Sequence, residues 1–319
     1  MKILVIQNRM GIGDMVIYLP YIEAISKKFN VPISILVKEN SKAPQYLDKN
    51  KFIEKIIILN RNNKNNNHDG FFGSFSLANQ IRKYNFDKVF IFNSSLRFNL
   101  ICKFAGIKKI YQYPLFKKKN QHLIESAKKF ILKELNLDVH TSPLIRLDDS
   151  LVKDAFKKYK IDSNQTNIVL GIGGSGPTKR ISAKKFILFM HMAMESYDCR
   201  FFLATGKNKD EQIILNEIMQ SEFKEKCEPL DDKNISEILP IIKNCKIAIC
   251  NDSSFSHLSS ALEIPTIVLM SDTPLLYGNY STMMHPIIPD GEETVSHNTL
   301  GKDKINPEKI YNKFKSILN

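Results

Sequence analysis

The sequence contains no tryptophan, no C-x-x-C pair and no apolar run of the roughly 18 residues that a membrane-spanning helix needs. Its five cysteines form an odd, scattered set, which is typical of reduced thiols in the cytosol. No secretory signal precedes the first apolar run, which begins next to Met1. We therefore expect a cytoplasmic protein whose contact with a membrane, if it has one, is peripheral.

The common motifs of metal and nucleophile chemistry are missing as well. There is no Asp-x-Asp pair, no H-E-x-x-H motif and no cluster of cysteine and histidine at ligand spacing. A G-x-S-x-G elbow and a P-loop are also lacking. We expect no metal and no cofactor, so that protein cations and helix dipoles would have to stabilise any departing phosphate.

What the sequence does contain is an uneven distribution of charge. Residues 1–150 hold 25 Lys and Arg against 12 Asp and Glu, whereas residues 151–319 hold 21 of each. The net charge of +13 therefore belongs to the first half. Such one-sided charge is typical of a domain that meets nucleic acid, a lipid surface or a phosphorylated acceptor. The alternative is a solvated, lysine-rich surface.

Length and pattern indicate two α/β domains. The chain has 319 residues, which suits two domains of about 150 residues each. Short apolar runs alternate with amphipathic stretches, a pattern that predicts parallel sheets. The predicted strands are 2–7, 33–37, 56–59, 88–92, 167–172, 200–204, 248–250 and 266–270, and the predicted helices are 21–29, 123–135, 151–160, 183–194, 211–219, 235–243 and 307–318.

The two series of strands place the domain boundary near residue 150. We expect an acceptor-binding domain over residues 1–150 and a nucleotide-binding domain over residues 151–319, with the last helix packing on either one. Ligands of open parallel sheets bind beyond the carboxyl ends of the strands. Two facing sheets would therefore place the working site in a central cleft between the domains.

The first loop of interest runs from Gln7 to Asp14 and holds two glycines. Glycine permits a tight turn and the close approach of a ligand to the backbone. Asp14 lies at the start of the next helix, where its carboxylate can accept a proton as a general base. The alternative is that Asp14 merely caps this helix, because aspartate is a favoured N-cap residue.

The second loop, Gly171 to Arg180, formally matches the dinucleotide fingerprint G-x-G-x-x-G. That fingerprint requires the glycines to open a helix directly, but here Pro177 intervenes and the helix is predicted to begin near Ser182. What is left is a flexible turn that ends in two cations. Lys179, with Arg180 beside it, is suited to neutralise a diphosphate, although a plain basic loop is the alternative.

The third loop follows the strand that ends at Cys250. Asp252, Ser253 and Ser254 precede a predicted helix, and the N-terminus of a helix binds phosphates through its N–H groups and its dipole. His257 lies about one turn further on, near the same end. Asp252 would orient a sugar hydroxyl or cap the helix, and His257 is either functional or structural.

Taken together, the ordered motifs resemble glycosyltransferase family 9, the heptosyltransferases. The motifs that carry the resemblance are Gly13-Asp14, Leu19-Pro20, the segment 86–107 with Arg97 and Ala105-Gly106, the run 173–180 (Gly-Gly-Ser-Gly-Pro-Thr-Lys-Arg), the run 251–265 that begins Asn-Asp-Ser-Ser, Thr273-Pro274 and Tyr277-Gly278. The chain departs from the family pattern at Ser254, Ser259 and Ile181, which bears on the choice of donor more than on the reaction class.

The resemblance implies a GT-B architecture and an inverting, metal-independent transfer of heptose from ADP-heptose to a lipopolysaccharide core. It assigns Asp14 as the catalytic base. The implied donor-binding residues are Ser175, Thr178, Lys179, Arg180, Glu211, Asp252, Ser253, Ser254 and His257, and the implied acceptor-binding residues are Gly13 and Arg97. The expected partners are a nucleotide sugar, an anionic lipid-linked glycan and, through the basic domain, the inner membrane.

Two other functions are compatible with parts of the pattern. The glycines of the second loop leave open a dinucleotide-dependent oxidoreductase. The same scaffold also suits a non-catalytic protein that binds nucleotide sugars. Nucleic-acid binding is disfavoured because the basic residues form no recognised reading module.

Overall fold

The computed structural model describes residues 1–9, 11–61, 67–115 and 122–319. The chain divides into two compact units, Met1–Pro143 and Leu144–Asn319. The division falls a few residues before the boundary that the sequence indicates. Met10, which belongs to the first loop of interest, lies outside the described residues.

The first unit is built on a parallel sheet. Its strands are β1 (Ile3–Gln7), β2 (Ile33–Lys38), β3 (Ile53–Leu59), β4 (Lys88–Ile91) and β5 (Lys109–Gln112). They lie in the order β3-β2-β1-β4-β5, and every pair is parallel. The central strand β1 is buried along its whole length, as its unbroken apolar run requires when helices cover both faces of a sheet.

Helices cover this sheet in two layers. They are α1 (Ile12–Phe29), α2 (Pro44–Leu47), α3 (Gly70–Arg82), α4 (Leu96–Phe104) and α5 (Leu123–Leu135). Helices α3 and α4 pack on each other, and their buried side chains join Leu4 and Ile6 of β1 in one core. Helix α5 packs against α1, where the Tyr21 hydroxyl donates to the carbonyl of Ile124 at 2.9 Å.

The second unit repeats the arrangement with one more strand. Its elements are α6 (Asp149–Lys158), β6 (Thr166–Gly171), α7 (Ala183–Ser196), β7 (Cys199–Ala204), α8 (Lys209–Met219), β8 (Cys227–Pro229), α9 (Ile235–Lys243), β9 (Ile247–Asn251), α10 (Ser254–Ala261), β10 (Thr266–Leu269), β11 (Met284–Ile287) and α11 (Pro307–Leu318). The strands are all parallel and lie in the order β11-β10-β9-β6-β7-β8.

Both sheets are doubly wound, so each has a point at which the direction of winding reverses. In the first unit this point lies between β1 and β4, and in the second unit it lies between β6 and β9. The loops that leave two such strands turn to opposite sides of the sheet and open a crevice at its carboxyl edge. The α/β class with two parallel sheets, predicted from the sequence, is thereby confirmed.

The last helix, α11, belongs to the second unit. It packs against α7, and the ring of Phe314 lies 5.4 Å from that of Phe189 and 5.3 Å from that of Tyr197. Phe314 is fully buried in this contact. None of the helices in the described parts of the chain is both long and apolar enough to span a bilayer.

Because Phe314 fills the space between α11 and α7, its replacement by alanine leaves a cavity in the second unit. We expect Phe314→Ala to lower the free energy of unfolding by about 3–5 kcal/mol. Leu188→Ala is the control, since Leu188 lies on α7 with its side chain exposed, and a surface change of this kind alters stability by only about 0.5 kcal/mol. Urea denaturation followed by circular dichroism compares the two variants. Equal losses would contradict this packing.

Candidate active site

The loop after β6 is held by the neighbouring strand β9. The buried side chain of Asn251, the last residue of β9, donates from Nδ2 to the carbonyls of Ile172 (2.9 Å) and Gly173 (3.2 Å). Its Oδ1 accepts from the backbone N–H of Ile181 at 3.4 Å. One amide therefore braces both ends of the loop that carries Lys179. Asn251 was not predicted as a site residue.

Glu211 supports the same loop from the other side. One of its carboxylate oxygens accepts from the N–H of Gly174 at 2.7 Å, and the other accepts from the side-chain amide of Asn208. A Cβ added at Gly173 or Gly206 would lie 2.5 or 2.4 Å from these oxygens, so that a side chain at either position would displace the Glu211 carboxylate. The buried Glu211 thus ties the loop after β6 to the start of α8.

Arg180 folds back onto its own loop. Its guanidinium donates to the carbonyl of Gly174 at 3.0 Å and to the carboxylate of Asp210 at 2.9 Å, and the side chain is buried. Ser175 is exposed at the tip of the loop. The carbonyl of Thr178 accepts from the hydroxyl of Ser271 at 2.9 Å, which fixes this end of the loop against the segment after β10.

Lys179, Asp252 and His257 meet at the reversal point of the second sheet. Lys179 Nζ lies 2.8 Å from Asp252 Oδ2, and His257 Nε2 lies 4.0 Å from Asp252 Oδ1. Burial by itself would raise the pKa of Asp252, but the Lys179 ammonium holds it below its usual range. Asp252 is therefore a buried carboxylate that stays ionised beside a cation.

His257 is buried and neutral. Burial lowers the pKa of its imidazole to about 4, against the opposing effect of the Asp252 carboxylate. Its Nδ1 lies 2.7 Å from the hydroxyl of Tyr280, and the two rings stack with their centroids 5.6 Å apart. Its other ring nitrogen, Nε2, lies on the side of Asp252. Tyr280 was not singled out from the sequence.

The N-terminus of α10 opens beside this group. Ser253 is the N-cap residue and Ser254 is the first residue of the helix, so Asp252 precedes the cap and does not occupy it. The hydroxyl oxygen of Ser253 is buried and has no hydrogen-bond partner among the residues that the structure describes. The first N–H groups of a helix lack intrahelical acceptors and attract anions. With Lys179 alongside, this edge of the sheet is suited to bind a phosphate group.

In the first unit, helix α1 begins earlier than the sequence pattern indicates. Gly11 is its N-cap residue, with a φ of 105° that favours glycine, and Gly13 and Asp14 are the second and third residues of the helix. The interpretation of Asp14 as a plain N-cap is therefore wrong. The half-buried Asp14 lies in the first turn, where the helix dipole favours its negative charge.

A cavity of about 400 Å³ lies at the reversal point of the first sheet. The loops that form it are joined by a hydrogen bond from Asn93 to Asn8 at 3.1 Å. Its lining combines aromatic rings with basic and amide groups and one acid, Glu134, which pairs with Lys133 at 3.2 Å. This lining was not foreseen from the sequence. The lining residues include Asn8, Arg9, Tyr18, Phe92, Asn93, Ser94, Gln112, Tyr113, Lys129, Phe130 and Lys133.

Arg97 lies elsewhere in the first unit. Its Nε donates to the hydroxyl of Ser74 at 2.9 Å, and its Nη2 donates to the carbonyl of His68. These bonds join the start of α4 to the start of α3. Arg97 is not among the residues that line the cavity.

Two further observations bear on the chemistry. Within the described ranges, no group of three or more His, Cys, Asp or Glu side chains is arranged to hold a metal ion. The glycines of the run 171–176 do not open a helix, since α7 begins only at Ala183. Pyrophosphate bound by these glycines would therefore not meet a helix N-terminus, as the dinucleotide fingerprint requires.

Two doubly wound α/β units with parallel sheets are the architecture of the GT-B fold. A sequence profile of glycosyltransferase family 9 (heptosyltransferase) matches residues 74–284. Because this match covers well over half of the chain, the protein belongs to that family and is a glycosyltransferase. The comparisons give no support to the oxidoreductase interpretation.

Relatives and solved structures agree with this assignment along nearly the whole chain. Lipopolysaccharide heptosyltransferase 1 of Campylobacter coli is 23% identical, over 95% of this chain and 93% of its own. The solved structure of the E. coli ADP-heptose lps heptosyltransferase II superposes with a TM-score of 0.75 at 18% identity, covering 100% of this chain and 98% of its own. The E. coli heptosyltransferase WaaC, solved with ADP, superposes with a TM-score of 0.71 at 13% identity, covering 99% and 100%.

The lowered pKa of His257 predicts a dependence of stability on pH. As the pH falls from about 6.5 to about 4, the imidazole gains a proton in the unfolded chain but not in the folded one, so stability is lost. The difference in unfolding free energy between the wild type and His257→Gln should therefore narrow over this range. Denaturant titrations at several pH values measure it. A difference that stays constant would show that His257 titrates normally.

Proposed function

We propose that this protein transfers a heptose from ADP-heptose to an anionic acceptor of the lipopolysaccharide core, with inversion at the anomeric carbon. The single observation that carries the proposal is the group formed by Lys179, Asp252 and the N-terminus of α10 at the reversal point of the second sheet. The names of the relatives support the choice of sugar and acceptor.

The second unit would bind the donor. Lys179 and the N–H groups at the start of α10 would hold the diphosphate, with the hydroxyls of Ser253 and Ser254 as further donors of hydrogen bonds. Asp252 and the neutral His257 would contact the sugar, and Ser175 and Thr178 would complete the loop over the nucleotide. The bonds that Arg180 and Glu211 make to Gly174 favour a role in shaping this loop.

The first unit would bind the acceptor. The cavity presents Arg9, Lys129 and Lys133 beside aromatic rings, which suits a sugar that carries carboxylate or phosphate groups. Asp14 lies one turn of α1 before Tyr18, a residue of the cavity lining. We assign acceptor binding to this cavity, with Gly13 allowing close approach of the acceptor, and regard Arg97 as a more distant contributor.

The proposed reaction is a direct displacement. Asp14 takes the proton of the acceptor hydroxyl, and the oxygen attacks the anomeric carbon of the heptose. The bond from that carbon to the diphosphate oxygen breaks, and its electron pair leaves with ADP. Lys179 and the dipole of α10 stabilise the charge that develops on the diphosphate, so that no metal ion takes part in the proposed step.

This function would place the enzyme in the cytoplasm, at the inner face of the membrane that holds its acceptor. The excess of Lys and Arg in residues 1–150 supports such a location. Each basic residue close to an anionic bilayer surface adds about 1 kcal/mol of attraction.

The assignment of Asp14 as base is tested by Asp14→Asn. The amide keeps the shape of the side chain but does not accept the proton, so kcat should fall by about 10²–10⁴-fold, while the affinity for ADP is unchanged. The control is Glu23→Gln, a change on the same helix at a carboxylate that pairs with Lys27. Transfer is measured as ADP release in the presence of acceptor. Full activity of Asp14→Asn would rule out the base.

The role of Lys179 is tested by Lys179→Met, which removes the charge but keeps the length of the side chain. Affinity for ADP should fall by about tenfold or more, because a charge-assisted contact to the diphosphate is lost. The matched control is Lys184→Met, since Lys184 is exposed on α7. Isothermal titration with ADP measures both affinities. Equal affinities would place the diphosphate away from Lys179.

A further inference from the structure

Four phenylalanine side chains form an exposed cluster on the first unit. Phe71 and Phe72 are 72% and 86% exposed, and Phe75 and Phe104 are also exposed. The ring of Phe71 lies 5.8 Å from that of Phe72 and 4.9 Å from that of Phe75, and Phe75 lies 5.5 Å from Phe104. We call these four residues the aromatic patch. So much contiguous apolar surface in water usually marks an interaction site.

The patch is extended by a stripe along α4. Leu96, Leu100 and Phe104 are spaced by four residues, which places them on one face of the helix, and all three are exposed. The core of the first unit is filled from the opposite face of α4, which contributes Phe98 and Ile101. The exposed leucines and phenylalanines therefore do not contribute to the hydrophobic core of the first unit.

The charge around the patch is mostly positive. From Asp69 to Gln112 the chain carries seven Lys and Arg residues against two acids, Asp69 and Asp87. Lys103, Lys108 and Lys109 are exposed and close in sequence to the patch residue Phe104. Aromatic side chains next to lysines are typical of a surface that lies in the interface of an anionic bilayer. A second copy of the unit would bring the same positive charge and be repelled.

The position of the patch also fits a bilayer. Ser94 lines the cavity assigned to the acceptor, and the exposed stripe begins two residues later at Leu96. Gln112, another lining residue, accepts from the side chain of Asn99 on α4 at 2.8 Å. The stripe therefore starts beside the cavity, as is required if the sugar of a lipid-linked acceptor enters the cavity while its acyl chains stay in the membrane.

We propose that the aromatic patch inserts into the headgroup region of an anionic lipid bilayer and docks the first unit on it. The contact depends on apolar burial by the phenylalanines and on attraction of the lysines to lipid phosphates. It goes beyond the proposed sugar transfer but rests on the proposed function for the assignment of the cavity to a lipid-linked acceptor.

Vesicle co-sedimentation of the full chain tests this proposal. We expect binding to vesicles of phosphatidylcholine and phosphatidylglycerol (3:1), weaker binding at high salt, and little binding to phosphatidylcholine alone. Phe71→Ser with Phe72→Ser should weaken binding to the anionic vesicles by about tenfold or more, because two inserted aromatic side chains are lost. The matched control is Leu188→Ser with Ile213→Ser, which changes two exposed apolar residues of the second unit.

Three results would overturn the proposal. The first is unchanged vesicle binding by the phenylalanine variant. The second is a dimer, seen by analytical ultracentrifugation, that the same variant dissociates. The third is that the wild type binds single-stranded RNA and that this RNA displaces it from the vesicles. A second variant, Lys103→Gln with Lys108→Gln and Lys109→Gln, should lose the preference for anionic vesicles and keeps the test decisive if the first variant misfolds.

The docking proposal and the proposed function fail in different ways. Transfer to a soluble, lipid-free acceptor fragment should be the same for the wild type and the phenylalanine variant, since the patch lies outside the residues assigned to catalysis. Loss of vesicle binding with full transfer to the soluble fragment supports docking through the patch. Absence of any transfer by the wild type would instead refute the proposed function and leave the vesicle result standing.

Discussion

The burial of Asp252 is the constraint on which the functional edge of the second unit depends. An ionised carboxylate is costly away from water unless a cation or hydrogen bonds compensate it, and Lys179 provides that compensation at 2.8 Å. Lys179 reaches Asp252 only if the loop after β6 is held in place, which Asn251 and Glu211 do through the backbone of that loop. The Lys179–Asp252 pair, the loop after β6 and the N-terminus of α10 are thus held together at the reversal point of the sheet.

The central strands of both sheets and the edge strand β3 were predictable from sequence, whereas the other edge strands were not. Strands β1, β6 and β9 are buried throughout and read as unbroken apolar runs. The edge strands β5, β8 and β11, which were not predicted, are only partly buried and so carry no such run. Helices α3 and α4 were missed because they carry additional apolar residues on their exposed faces. These residues obscure the helical period of the buried apolar positions.

The candidate site was predictable where its residues are close in sequence or share a motif. Lys179, Asp252 and His257 were predicted as donor-site residues from two motifs of the family that the sequence resembles, and the structure places them next to one another. Contacts over long sequence separations gave no local signal, which is why Tyr280 and the cavity lining were missed. The start of α1 was misjudged because Gly11, with its positive φ, takes the cap position that aspartate usually fills.

We propose that Lys179 and the N-terminus of α10 bind the diphosphate of the donor. A crystal structure of the full chain with ADP tests this binding mode. We predict that β-phosphate oxygens lie at hydrogen-bond distance, about 2.7–3.2 Å, from Lys179 Nζ and from backbone N–H groups at the start of α10. ADP bound in the cavity of the first unit, or bound to the second unit without contact to Lys179, would contradict the claim.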